Sequence, residues 1–332
     1  MENHRIRLTA SETGGLWANY IADSMFTCVY KYYLACVEDS EIKAVLAHAL
    51  DLSEQHMKVT SDIFREEGHA VPIGFTAEDV HPNAPRLFSD EFFLFYTEQM
   101  AKGALVIYGG ILPHTYRNDI REHFMSCLSS TMELMNETKK VLLSKGLEVR
   151  SPYIPPLIEA VMVEDRHFLA GWFGRQRPLT AAEISHLFAN IQTNYFGCAV
   201  VLGFAQTAKN EDVKDYMMRG KEIATKHSRI FSRFLQEEDL PAPVTWDAEI
   251  SESQAAPFSD KLMMFQVNLM SASGIGNYGT ALSASPRRDI AGDYSRLLAE
   301  VGLYAEDGLQ ILIKHGWLER PPHAADRNEL VK

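Results

Sequence analysis

A chain of 332 residues with 46% apolar content is long enough to form two domains of ordinary size, each with its own core. Lys and Arg number 32 against 44 Asp and Glu, a net charge of −12 with the basic residues scattered, which excludes the basic footprint of a nucleic-acid binder. Cys28, Cys36, Cys127 and Cys198 form no CxxC pair and no disulfide framework, so buried thiols in a reducing, cytoplasmic setting are expected.

The polar start MENHRIRLTASE lacks the apolar core of a signal peptide, and no apolar run long enough for a membrane span is expected after it. The first helix should open at Thr9, where Thr9-x-x-Glu12 has the form of a capping box, and run to about Val37. After a break at Glu38-Asp39-Ser40, a second helix carries Ile42, Val45, Leu46, Ala49, Leu52, His56, Val59 and Ile63 on one face. His56 lies in that apolar stripe.

A loop from Pro72 to Pro85 precedes a third helix from about Ser89 to Ile111, ending before Pro113. Its glycines Gly103, Gly109 and Gly110 each cost about 1 kcal/mol against alanine, which suggests close helix approach as compensation. The fourth helix should begin with Asp119 as N-cap and run through Phe124, Leu128, Met135 and Leu142 to a glycine stop at Gly146. Residues 151–178 read as a linker, with a short helix over Leu157 to His167. Trp172 and Phe173 are expected to pack between the domains.

The pattern then returns. LTASETGGLWAN (Leu8 to Asn19) recurs as LTAAEISHLFAN (Leu179 to Asn190), with seven of twelve positions identical. A shift of 171 residues superposes Thr9 on Thr180, Glu12 on Glu183 and His56 on His227. After one residue is lost in a loop, a shift of 170 superposes Asp119 on Asp289 and Gly146 on Gly316. Thr180 and Glu183 repeat the capping box, Asp289 the expected N-cap, and Gly274, Gly276 and Gly279 the third-helix glycines. The expected organisation is all-α, with a first four-helix bundle over 1–150 and a second over 179–332, whose last residues from Arg320 should fray.

LTA-x-E at the start of each copy, the inward His56 and His227, and Gly171-Trp172-Phe173-Gly174 before the second copy resemble a family known from endospore-forming bacteria. It is catalogued as domain of unknown function 3231. The resemblance covers nearly the whole chain and implies two tandem ferritin-like four-helix bundles, with some single-domain relatives described as spore-coat-like. It implies no activity.

A ferritin-like bundle invites a search for the di-iron set, which needs Glu-x-x-His on two helices. Ser53 and Ala224 stand where those glutamates would be. A mononuclear iron, zinc or manganese site around His56 or His227 remains, joined by Asp23, Glu98, His123 and Glu137 in the first copy and Asp307 in the second. Asp23, Glu98 and His123 become Asn194, Asn268 and Asp293, so the first copy is the better candidate. The competing expectation makes both histidines core residues, hydrogen-bonded to Asn19, Asn190 or a carboxylate.

Gly274-Ile275-Gly276-Asn277-Tyr278-Gly279 matches GxGxxG but sits inside a helix with no strand before it, so no nucleotide is expected. The aromatic runs Tyr30 to Tyr33 and Phe92 to Tyr96 suit either core packing or a small apolar ligand. The leading functional expectation is a non-enzymatic structural or interaction protein, with spore-coat partners or a second copy of itself. The alternative is a metal-binding protein or metal-dependent oxidoreductase centred on His56 or His227, and no catalytic residue is assigned.

Overall fold

The computed structural model describes residues 6–172, 176–327 and 331, and it is all-helical. Among the described residues eight long helices run in chain order: α1 (Ala10–Cys36), α2 (Ser40–Glu66), α3 (Asp90–Ile111), α4 (Asn118–Ser144), α5 (Ala181–Thr207), α6 (Glu211–Gln236), α7 (Asp260–Ser283) and α8 (Arg288–Lys314). Each repeat supplies four. Among the described residues the extended pairing is an isolated antiparallel bridge between Phe88 and Ile250.

Local signals account for the helix ends. Thr9 and Thr180 each close a capping box with Glu12 and Glu183, which satisfies orphan amides at the starts of α1 and α5. Asp39 caps α2 through Glu41 N and Ile42 N, and Asn210 caps α6 through Asp212 N. Gly68, Gly146 and Gly316 stop α2, α4 and α8 in the left-handed region, with φ between 68° and 70°. After α6 the residue equivalent to Gly68 is Asp239, which takes up φ 55° without glycine's freedom.

The chain divides into two compact units. The first comprises Met1–Ala84, Phe93–Gly146 and Gly316–Lys332, and the second Pro85–Phe92 and Leu147–His315. The opening turn of α3 therefore belongs to the second unit, and the segment after α8 to the first.

In the first unit Leu16, Phe64, Tyr108, Ile120 and Phe124 form one apolar cluster. Nearby on α1 and α3, Tyr33 stacks on Phe93 with centroids 4.1 Å apart and meets Tyr96 edge-on at 5.2 Å. These runs are packed core. In the second unit Leu187, Ile191, Phe231, Tyr278, Tyr294 and Leu297 are buried together. Helix α5 is long and apolar enough to cross a membrane by length and composition, contrary to the sequence expectation. Of its 18-residue apolar window, 61% is buried within the protein, the pattern of a core helix.

Four expectations are corrected. Among its described residues the linker forms only a short 3-10 turn at Arg166–Leu169, and Leu157 to Val163 are not helical. Proline-rich punctuation precedes that stretch, and no core covers it. Trp172 is 61% exposed, resting one ring edge on Gly292, while Phe173 lies outside the described residues. Gly109, Gly110, Gly274 and Gly276 face open space, so close packing does not explain them. The N-caps of α4 and α8 are Arg117 and Arg287, without side-chain caps, and Asp119 and Asp289 lie inside the first turn.

Candidate functional site

The missing caps of α4 and α8 are supplied from elsewhere in each unit. Glu12 accepts from Thr9 N through Oε2 at 2.9 Å, and its Oε1 accepts from Tyr116 N and Arg117 N, both at 2.8 Å. One carboxylate thus closes the starts of α1 and α4, where the helix dipoles favour negative charge. Glu183 does the same between Thr180 N and Arg287 N, with the Arg177 guanidinium bidentate on it at 2.8 Å. Burial works to raise both carboxyls, but the converging donors hold each below the usual carboxylate range. Asp119 and Asp289 instead pair with Arg117 and Arg287.

The inward histidines sit deeper. In the first unit His56 on α2 places Nδ1 3.5 Å from Asp23 Oδ2 on α1 and Nε2 3.4 Å from Ser130 Oγ on α4. Asn19 donates to Asp23 at 2.5 Å and to the Tyr108 hydroxyl at 3.2 Å, and its Oδ1 lies 3.1 Å from His123 Nε2. Thr60 stands 3.3 Å from the same nitrogen, and Cys127 Sγ lies within 4 Å of the His123 ring.

Burial and the neighbouring His56 push His123 down to about 4, so it is neutral at pH 7. Burial raises the Asp23 carboxyl against the opposing pull of His56, Asn19 and Ser53. Burial, with the charge of Asp23, raises the Cys127 thiol too, which makes it a packed thiol instead of a nucleophile.

The second unit rebuilds this arrangement with different partners. His227 Nδ1 lies 3.0 Å from the Tyr278 hydroxyl, and Nε2 lies 3.1 Å from Glu300 Oε2 on α8. Asn194 donates to that same hydroxyl at 2.8 Å, and Asn190 donates to Tyr294 at 3.3 Å. Burial lowers the His227 pKa, although Glu300 opposes it. Glu300 itself is pushed up by burial but held below its ordinary value by Lys226 and His227.

The remaining candidate ligands do not join these clusters. Glu98 is buried but paired with Lys102 at 3.1 Å and with Lys139. Glu137 pairs with His48 at 2.7 Å, and Asp307 with Arg219 at 2.7 Å, both at exposed positions. Only Asp23, His56 and His123 come together. His56 Nδ1 faces Asp23, but its Nε2 is aimed at Ser130 and His123 Nε2 at Asn19 and Thr60, and the two imidazoles stand 6.2 Å apart at 87°. Among the described residues no three His, Cys, Asp or Glu side chains are arranged to hold a metal ion. The donors as placed do not fit an iron, zinc or manganese centre.

Ser130 and Glu300, absent from the sequence-derived set, occupy the same place in the two repeats, 170 residues apart. Their difference in chemistry hid the equivalence. The second unit also has a shallow groove of about 530 Å³ between α6 and α8, lined by Asp212, Asp215, Tyr216, Arg219 and Asp307. Arg219 answers Asp307 there, and Lys314 answers Asp212 at 2.6 Å.

Comparison with known proteins gives two findings. The family described as a protein of unknown function (DUF3231) matches residues 1–157 and again 167–330. A solved structure from Bacillus halodurans, provisionally described as a spore coat protein, aligns at 18% identity over 45% of this chain and 98% of its own, with a TM-score of 0.42. No curated protein matches.

Proposed function

We propose that this chain, which belongs to the DUF3231 family, is a non-catalytic structural or interaction protein whose buried histidines hold its helices in register. The observation that carries this reading is the engagement of both His227 ring nitrogens by Tyr278 and Glu300, so that the imidazole is spent on joining α6, α7 and α8. His56 supports it in the same way by joining α1, α2 and α4 through Asp23 and Ser130. Each four-helix repeat is read as a ferritin-like bundle that has no metal role. Spore-coat association belongs to this reading through the family resemblance, and a cytoplasmic location through the four cysteines, which form no disulfide framework.

The test is elemental analysis of the untagged protein and of a His56→Ala, His227→Ala double variant, each offered iron, zinc and manganese, beside urea unfolding of both. The reading expects no stoichiometric metal in either and a stability loss of about 1–3 kcal/mol per histidine. Stoichiometric metal in the parent that disappears from the variant would replace it with a metalloprotein.

A further inference from the structure

In the first unit, three consecutive backbone N–H groups of the α2–α3 loop point at acceptors outside the loop. Both carboxylate oxygens of Glu319, in the non-helical segment after α8, accept from Ile73 N at 2.9 and 3.0 Å, and Oε2 also accepts from Gly74 N at 3.0 Å. Ser24 Oγ on α1 accepts from Phe75 N at 3.0 Å. Gly74 adopts φ 63°, the left-handed conformation that turns successive N–H groups toward one side and makes a concave nest for an anion. A Cβ at that position would overlap the Ser24 hydroxyl, so the loop closes on α1 only with glycine there.

The second repeat carries different residues at these positions. The shift of 171 places Val244, Thr245 and Tyr195 where the first repeat has Ile73, Gly74 and Ser24. The segment after α4 carries Val149 at the position of Glu319. Val149 packs against the apolar cluster of the second unit, and its carbonyl accepts from Gln192 Nε2 at 3.1 Å. The same post-helix segment is therefore seated by apolar contact in one unit and by a carboxylate in the other.

We propose that the nest at Ile73 to Phe75 is a carboxylate-binding site for a glutamate on a non-helical peptide segment, that Glu319 is its resident ligand, and that an external glutamate peptide fills it when Glu319 is removed. Two adjacent N–H donors select for an anion with two acceptor oxygens, so a glutamine in the same place forfeits the charge and one acceptor. The inference stands apart from the reading of the histidines, because no residue is shared between them.

The experiment uses full-length protein carrying Glu319→Ala, with amide hydrogen exchange followed at Ile73 and Gly74 by NMR. Their exchange should accelerate about tenfold or more, as expected for losing hydrogen bonds to a charged acceptor, while the Asp39-capped amides of Glu41 and Ile42 stay unchanged. A synthetic peptide of residues 316–325 should restore the slow exchange, and the same peptide with Glu319→Gln should not. Unchanged exchange in Glu319→Ala would overturn the proposal. So would restoration by neither peptide, or by both equally.

Discussion

The two repeats place a histidine at the same point of the same helix and give each one carboxylate, but from opposite sides. In the first unit the carboxylate is Asp23 on α1 and the α4 position is Ser130; in the second the α1-equivalent residue is Asn194 and the carboxylate is Glu300 on α8. What the duplication preserves is a buried imidazole with a polar partner on each flank. The identity of each flank is free to change, provided a donor and an acceptor still meet, because an unpaired buried polar group costs about 1–3 kcal/mol.

The same comparison separates the units elsewhere. Tyr216 and Tyr304 stack at 4.2 Å with planes 4° apart, and each hydroxyl donates to the other residue's carbonyl at 3.1 Å. Gly220 and Gly308 leave room for those hydroxyls, since a Cβ on either would overlap one. The first repeat has Val45, Ala49, Leu134 and Thr138 at these four positions and packs conventionally. Arg287 is 1% exposed, whereas its equivalent Arg117 is 14% exposed.

The arginines should break the symmetry most strongly. Arg287→Met leaves Asp289 and Glu238 without their shared cation and should cost about 3–5 kcal/mol, while Arg117→Met should cost about 1 kcal/mol; urea unfolding of the two variants compares them. Equal losses would mean that the burial difference has no energetic weight. Next comes Gly220→Ala, expected to cost about 1–3 kcal/mol by forcing the tyrosine pair apart, although the first repeat carries alanine there natively. A neutral Gly220→Ala would show that the pair is not rigid.

Acid stability sharpens the comparison further. The folded state holds His123 at about 4, below its ordinary value of 6.5, so its neutral form contributes stability that is complete above about 6.5 and is lost as pH falls toward 4. His227 is lowered too and has the same sign, whereas Asp23 is raised and opposes them, its burial costing less once it is protonated. His123→Asn should therefore flatten the decline of stability across that window, by up to about 1.4 kcal/mol per pH unit. Parallel profiles for parent and variant would contradict the neutral assignment. The smallest effect is expected from Asp239→Gly, which should stabilise the second unit by about 0.5–1 kcal/mol in thermal unfolding by relieving its left-handed backbone.

The helices were legible in the sequence because their signals are local. Thr9 with Glu12, the α2 stripe and the stop at Gly146 all act within a few residues, and the duplication repeats them. The caps of α4 and α8 were not legible, because the carboxylate that receives Arg117 N comes from Glu12, 105 residues away. The histidine partners were half legible. Asp23 and Asn19 lie on α1 with inward spacing, but Glu300 is matched by a serine, so a search for shared acids passes over it. Nor does anything in sequence reveal that Glu98 is answered by Lys139 on another helix, or that Gly109, Gly110, Gly274 and Gly276 face open space.

The most direct test of the central claim is 15N NMR of the imidazole rings of His56, His123 and His227, recorded at pH 7 with and without added zinc. The account predicts that His123 and His227 are neutral, each in a single tautomer set by its protein partners, and that zinc leaves their ring nitrogens unmoved. Stoichiometric zinc that shifts the nitrogens of His56 and His123 together would contradict it and make the first unit a metal site.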